Sequence, residues 1–281
     1  MSRGRAFTQV DVFTDTALLG NPVAVVLDGE GLSAQEMLAF TEWTNLSEAT
    51  FVLPPTSPDA DYAVRIFTPG RELPFAGHPT LGTCHAWLAA GGSPQSTHVV
   101  QECGAGLISV RRDASAGTLA FAAPPRLRTG PLSDDDLDAV ARFLRVDRAA
   151  IVDHEWCDNG PGWSGILLGS AEEVLALSPD PAAVDGLDVG VVGPHQAGAE
   201  AAFELRAFFR GSQGLVEDPV TGSLNASVAQ WLIGSGQAPD RYTASQGTAL
   251  GRAGRVHVER EGARIWVGGH SVTVLEGVAF V

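Results

Sequence analysis

The chain has 281 residues, 44% of them hydrophobic, which is enough for one large domain or two domains of ordinary size. Its formal net charge of −15 argues against a nucleic-acid partner, because phosphate binding requires a basic surface. All 18 basic residues are arginine, so a lysine Schiff base and the Gly-Lys pair of a P-loop are both excluded.

The first half of the chain is predicted to consist mainly of strands. Its N-terminal segment has no apolar signal core, and no apolar run approaches the roughly 18 residues that a membrane span requires. We therefore expect a cytoplasmic protein with no membrane contact. A helix is predicted over residues 33–45, because Ser33 and Glu36 form an S-x-x-E capping box before an apolar run. Alternating or β-rich sequence predicts strands at 6–13, 22–27, 50–54, 62–68, 98–102, 106–112 and 118–122.

The second half is predicted to contain a similar mixture of strands and helices. The prolines and glycine between Pro124 and Pro131 mark a linker that leads into it. A helix is predicted from about Ser133 to Leu144, and strand-like segments follow. This mixture is typical of an α+β fold.

An internal repeat relates the two halves. Residues 65–67 (Arg-Ile-Phe) are followed by a loop and by His78-Pro-x-x-Gly, and residues 206–208 (Arg-Ala-Phe) are followed by a loop and by Asp218-Pro-x-x-Gly. In this alignment the offset is 218 − 78 = 140 positions. We therefore expect two homologous domains, 1–123 and 124–281, each a mixed β-sheet or barrel around a central helix and related by a pseudo-two-fold. A last strand at about 272–281 could pack back on the first domain.

Each His-Pro or Asp-Pro motif predicts a helix start, with proline at the first helical position and Asp218 as a favourable N-cap. Capping alone would explain either motif. In a duplicated fold, however, both helix starts could face a common cleft, where backbone N–H groups and the helix dipole favour a carboxylate. Gly77 and Gly222 would let a ligand approach the backbone closely. The hypothesis is a small anionic substrate held between two helix N-termini.

Five further segments occur together in the chain: Gln9-Val-Asp-Val-Phe13, Gly20-Asn21-Pro22-Val-Ala-Val, Asn45-Leu46-Ser47-Glu48-Ala-Thr-Phe51, Gly77-His78-Pro79-Thr80 and Glu217-Asp218-Pro219-Val-Thr221-Gly222-Ser223. In this combination the chain resembles the PhzF family of phenazine-biosynthesis isomerases over nearly its full length. The resemblance implies a diaminopimelate-epimerase-like fold, which agrees with the internal repeat.

The resemblance also implies the site residues. Glu48 would be the catalytic acid–base residue, and the substrate site would be lined by His78, Asp218 and Ser223, with the backbone of Gly77 and Gly222 nearby. A single Glu can take a proton from one carbon and return it to another on the same face of the substrate, so no cofactor is required. We find no counterpart of Glu48 in the second half, which favours one acid–base residue over two.

Two alternatives remain open at this point: a non-catalytic, small-molecule-binding homologue, and an amino-acid-type epimerase or racemase. A two-thiol racemase is disfavoured, because the two helix starts carry His78 and Asp218 in place of cysteines. No cofactor or metal is expected. The formal GxGxxG match at 160–165 follows an acidic, turn-like stretch where a nucleotide-binding motif would need a strand, and no histidines have ligand spacing. A homodimer is expected from the resemblance alone.

Overall fold

A computed structural model describes residues 3–183, 186–211 and 214–281. The chain divides into two compact units: an N-terminal unit, which comprises the residues up to Ala122 together with Gly268–Val281, and a C-terminal unit, Ala123–Val267. Each unit combines a mixed β-sheet with few helices, as expected for an α+β fold. In the part of the chain that the structure describes, no helix is long and apolar enough to cross a membrane.

The N-terminal unit is built around strands of mixed direction. Its elements are β1 (Gly4–Val12), β2 (Asn21–Val26), α1 (Ala34–Thr44), β3 (Ala49–Leu53), β4 (Tyr62–Thr68), β5 (Arg71–Leu73), α2 (Gly77–Ala89), β6 (His98–Cys103), β7 (Gly106–Asp113), β8 (Thr118–Ala122) and β17 (Ser271–Phe280). β1 pairs antiparallel with β2 and with β17, and β2 is parallel to β3. β3, β4 and β5 are antiparallel in turn, β4 is parallel to β6, and β6, β7 and β8 are antiparallel.

The C-terminal unit follows the same order of pairings. Its elements are α3 (Asp134–Leu144), β9 (Ile151–Trp156), β10 (Trp163–Leu168), α4 (Ala171–Ala176), β11 (Asp188–Pro194), β12 (Phe203–Gly211), β13 (Gly214–Asp218), α5 (Gly222–Gly234), β14 (Arg241–Gln246), β15 (Gly254–Glu261) and β16 (Arg264–Gly269, whose last two residues belong to the N-terminal unit). β9 is antiparallel to β10, β10 is parallel to β11, and β11, β12 and β13 are antiparallel. β12 is parallel to β14, which is antiparallel to β15.

The two central helices, α2 and α5, are buried on most of their surface. Both are rich in small and apolar residues and have no charged face, which is the pattern of a helix inside a core. Gly82 shows how closely α2 packs: a Cβ atom at this position would lie 2.3 Å from Cγ1 of Val23 on β2. Glycine is therefore the residue that this contact allows.

The helix caps that the sequence predicts are present. Ser33 Oγ accepts a hydrogen bond from the Glu36 backbone N–H (3.3 Å), while the Glu36 carboxylate accepts one from the Ser33 N–H (2.8 Å). α1 ends at Thr44 and is followed by the C-cap residue Asn45, whose φ of 55° lies in the left-handed region that asparagine tolerates. Ser133 caps α3 through the Asp136 N–H. Both predicted helices are confirmed to within one residue at each end.

The predicted starts of the two central helices are wrong in register. α2 begins at Gly77, so His78 is its second residue and not its cap. α5 begins at Gly222, with Thr221 at the N-cap, and Asp218 is the last residue of β13. The equivalent helix starts are therefore 222 − 77 = 145 positions apart, in contrast to the 140 positions of the sequence alignment.

A longer hairpin in the C-terminal unit explains this shift. Arg65 on β4 donates two hydrogen bonds to the Glu72 carboxylate on β5, at 2.7 and 2.6 Å. Arg206 on β12 makes the same paired contact with Glu217 on β13, at 2.8 and 2.7 Å. The spacing is 72 − 65 = 7 positions in one hairpin and 217 − 206 = 11 in the other. The C-terminal hairpin is thus four residues longer. Equivalent residues of the two units are 141 positions apart before the hairpin tip and 145 positions apart after it.

Candidate active site

Glu48 lies between the end of α1 and the start of β3. Its backbone carbonyl accepts a hydrogen bond from the Ala24 N–H of β2 (3.4 Å), next to the parallel pairing of β2 and β3. The side chain is 16% exposed, so the carboxyl group is largely removed from water while remaining accessible. This position at a strand entrance is the one that the sequence predicted.

His78 lies in the first turn of α2, and its side chain is only 6% exposed. Its Nε2 atom is 3.4 Å from Oε2 of Glu48, and its Nδ1 atom is 3.5 Å from Nδ2 of Asn21. Burial lowers the pKa of His78 to about 3, against the smaller opposing effect of a hydrogen bond to the Pro22 carbonyl. The imidazole is therefore neutral near pH 7, and its contact with Glu48 is not an ion pair.

The first turn of α2 also presents backbone donors. Thr80 is the first residue whose N–H bonds within the helix, to the Ala76 carbonyl (3.1 Å), and Pro79 has no N–H. The N–H groups of Gly77 and His78 therefore precede the intrahelical hydrogen bonds, where the helix dipole favours an anion. In the N-terminal unit, the fold thus brings Glu48, Gly77 and His78 together, as the sequence predicted.

In the C-terminal unit, a buried glutamine fixes the loop between β13 and α5. Gln246 accepts hydrogen bonds from the Thr221 N–H and from Asn225 Nδ2, both at 2.9 Å. Its Nε2 donates to Thr221 Oγ1 (2.9 Å) and to the Asp218 carbonyl (3.2 Å). Thr221 Oγ1 in turn donates to the Asp218 carboxylate (2.6 Å). A fully hydrogen-bonded buried network of this kind rigidifies the segment that carries Asp218.

Ser223 is the second residue of α5, directly after Gly222. Its Oγ accepts a hydrogen bond from Trp163 Nε1 (3.0 Å), and its backbone carbonyl accepts one from Asn159 Nδ2 (2.8 Å). The predicted residues Asp218, Gly222 and Ser223 therefore flank the start of one helix.

The sequence alone did not identify several residues that contact the predicted site residues His78, Asp218 and Ser223. These are Asn21, Asn159, Trp163, Thr221 and Gln246. Asn21 and Thr221 lie inside the segments that carry the family resemblance, so a signal for them was present. Trp163 lies within the glycine-rich stretch 160–165, which lacks the context of a nucleotide-binding motif, and Asn159 directly precedes this stretch. Among the residues that the structure describes, no three His, Cys, Asp or Glu side chains form a group that could hold a metal ion.

Comparison with known proteins agrees with these features. A sequence model of the family described as phenazine biosynthesis-like protein (PhzC-PhzF) matches residues 10–277. The chain is 34% identical to antisense-enhancing sequence 1 of Schizosaccharomyces pombe, over 98% of this chain and 99% of that protein. It is 33% identical to trans-2,3-dihydro-3-hydroxyanthranilate isomerase of Pseudomonas aeruginosa, also over 98% and 99% of the two chains.

A solved structure supports the fold. The structure of a protein described as a predicted epimerase from Pseudomonas aeruginosa matches with a TM-score of 0.80 and 25% identity, over 99% of each chain. The epimerase-like α+β fold expected from the sequence is confirmed by this likeness. The family that the motifs indicated is confirmed as well: the chain belongs to the phenazine biosynthesis-like (PhzF) family and is an isomerase.

Proposed function

We propose that this isomerase moves a proton on a small carboxylic-acid substrate without a cofactor, with Glu48 as the single acid–base residue. The observation that carries the proposal is the partly buried Glu48 carboxyl group, which lies 3.4 Å from the imidazole of His78. Its carboxylate would take a proton from one carbon and return it to another carbon of the same substrate. The protein then ends in its starting state, and the product is an isomer of the substrate.

The neutral state of His78 supports this role for Glu48. A protonated imidazole at 3.4 Å would stabilise the charged carboxylate and weaken Glu48 as a proton acceptor. A neutral imidazole can instead donate a hydrogen bond to a polar group of the substrate or accept one from it. We therefore assign His78 to substrate binding.

We further propose that the start of each central helix binds the anionic part of the substrate. The N–H groups of Gly77 and Gly222 and the hydroxyl of Ser223 would donate hydrogen bonds to a carboxylate, and Asp218 would hold a second polar group. Trans-2,3-dihydro-3-hydroxyanthranilate is the first compound to test, because a relative from Pseudomonas aeruginosa is named for its isomerisation. The homodimer and the cytoplasmic location expected from the sequence stay predictions.

The test is the substitution Glu48→Gln, assayed by turnover of trans-2,3-dihydro-3-hydroxyanthranilate and by deuterium uptake from heavy water. Loss of the acid–base group should lower the rate by about 100- to 10,000-fold, while the circular dichroism spectrum stays unchanged. Glu42→Gln, which changes an exposed Glu on α1 in the same way, is the matched control and should keep the rate. Near-normal turnover by Glu48→Gln would refute the assignment.

The same assay separates the two alternatives. An epimerase, which the fold likeness to a predicted epimerase keeps as a second candidate, would invert a stereocentre without moving a double bond. A non-catalytic binding protein would bind the compound without deuterium uptake. Double-bond migration that depends on Glu48 supports the proposal over both.

A further inference from the structure

The hydroxyl group of Ser223 is held in one hydrogen-bonding role. An indole N–H can only donate, so Ser223 Oγ is the acceptor in its 3.0 Å bond with Trp163 Nε1. The hydroxyl proton must then point in another direction. Within residues 3–183, 186–211 and 214–281, that proton has no acceptor. The bond therefore leaves Ser223 as a donor toward something other than its own chain.

A second contact fixes the backbone of the same residue. Asn159 Nδ2 donates to the Ser223 carbonyl at 2.8 Å. The loop that carries Asn159 is itself held by the Asp158 carboxylate, which accepts the N–H groups of Gly160 (2.8 Å) and Gly162 (2.9 Å). Ser223 is thus oriented at its side chain and at its main chain by residues of one short segment.

The N-terminal unit contains a contact at the same place in its topology. Asn21 is the first residue of β2, and its side chain lies 3.5 Å from that of His78, the second residue of α2. Trp163 is the first residue of β10 and bonds to Ser223, the second residue of α5. In both units the start of the second strand therefore contacts the second residue of the central helix.

We infer that Trp163 and Asn159 are positioning residues that hold Ser223 as a hydrogen-bond donor to an acceptor oxygen of the substrate. The inference rests on the proposed function in so far as Ser223 is taken to bind substrate. The donor lies in the first turn of α5, where the N–H groups of Gly222 and Ser223 also precede the intrahelical bonds. Together these groups are suited to the oxygens of a carboxylate.

The first test is a double-mutant cycle in the Glu48→Gln background, which should bind without turnover. Affinity for trans-2,3-dihydro-3-hydroxyanthranilate is measured by calorimetry. Trp163→Phe removes the N–H but keeps an aromatic ring, and we expect about 5- to 10-fold weaker binding, in the range of one hydrogen bond. Because Trp163 acts through Ser223, the double variant with Ser223→Ala should bind no more weakly than Ser223→Ala alone.

Trp266→Phe is the matched control, because the indole N–H of Trp266 donates to Glu261 (2.9 Å), and its affinity should stay unchanged. Equal affinity of Trp163→Phe and its parent would overturn the inference. Fold-losses of the two single variants that multiply in the double variant would also overturn it, since Trp163 would then act independently of Ser223.

A second readout separates this inference from the proposed function. The indole ¹⁵N–¹H resonance of Trp163, assigned by its absence in Trp163→Phe, should move in ligand-free Ser223→Ala because its acceptor is lost. If the parent protein does not bind the compound, the proposal of this compound as substrate is wrong, and the resonance still tests whether Trp163 holds the Ser223 hydroxyl. A resonance that stays in place in Ser223→Ala overturns the inference.

Discussion

At the scale of single residues, His78 couples the candidate site to stability. Burial lowers its pKa to about 3 in the folded chain, against about 6.5 in an unfolded chain. The unfolded state therefore binds a proton more readily between these values. This burial costs no stability above about pH 6.5, and the folded state loses up to about 1.4 kcal/mol per pH unit as the pH falls toward 3.

The resulting prediction concerns His78→Gln. The substitution removes the imidazole, so the loss of stability between pH 7 and pH 4 should become smaller by a few kcal/mol. Urea unfolding at the two pH values measures this difference. His257→Gln, which removes an exposed imidazole, should leave it unchanged. An equal acid-induced loss in His78→Gln and in the parent would contradict the burial of an uncharged ring.

Individual site residues were predictable from the sequence when they lie in a recognisable motif. Glu48, Gly77 and His78 belong to such motifs, and the fold brings them together. Trp163 and Gln246 were not predictable, because their partners Ser223 and Thr221 are 60 and 25 positions away. A hydrogen bond between distant segments depends on tertiary packing and leaves no local spacing pattern.

At the scale of elements, the two Arg–Glu hairpins provide an internal comparison. The side chains of Arg206 and Glu217 are 7% and 13% exposed, whereas those of Arg65 and Glu72 are 30% and 41% exposed. Arg206 also donates from Nη1 to two backbone carbonyls at the end of α4, at 3.2 and 2.8 Å. The same ion pair is therefore buried in one unit and partly solvated in the other.

Arg206→Gln should consequently lower the free energy of unfolding by about 3–5 kcal/mol, because it leaves a buried carboxylate and two carbonyls without their partner. Arg65→Gln, the matched change in the other hairpin, should cost no more than about 1 kcal/mol. Chemical denaturation of both variants measures the difference. Equal losses would mean that burial does not set the contribution of these pairs.

Most elements could be predicted from local patterns. The strands of the first half follow from alternating or β-rich sequence, and α1 and α3 follow from Ser caps at Ser33 and Ser133. The start of α5 was misplaced because the Asp-Pro motif was interpreted in isolation. Asp218 still pairs with Ala207 in the β12–β13 ladder, so the chain leaves the sheet before it can begin α5. Competition between sheet pairing and helix capping cannot be seen in a short motif.

At the scale of the whole molecule, the charge opposes the arrival of an anionic substrate. The net charge is −15, and its field extends over a Debye length of about 30 Å at 0.01 M salt but only about 8 Å at 0.15 M. The attraction of a helix N-terminus falls off within the first turn. We therefore expect kcat/KM for an anionic substrate to rise severalfold over this range of salt.

Steady-state kinetics at the two salt concentrations measures this effect. The uncharged carboxamide of the same substrate is the control, and any turnover or inhibition by it should not depend on salt. A kcat/KM that falls with salt for the anion would show that positive charge near the site outweighs the charge of the whole chain.

The difference in length between the β4–β5 and β12–β13 hairpins shows how the two halves of the chain can change independently. In β4–β5 the ladder position after the Arg–Glu pair holds Leu73, opposite Ile66, and in β12–β13 it holds Asp218, opposite Ala207. Lengthening a hairpin at its tip leaves the pairings at its base in place, so two related halves can accept insertions independently. One half can then acquire an acidic side chain ahead of its central helix while the other keeps an aliphatic one. For protein engineering, the length of either hairpin can therefore be changed at its tip while the Arg–Glu contact and the pairings at its base are kept.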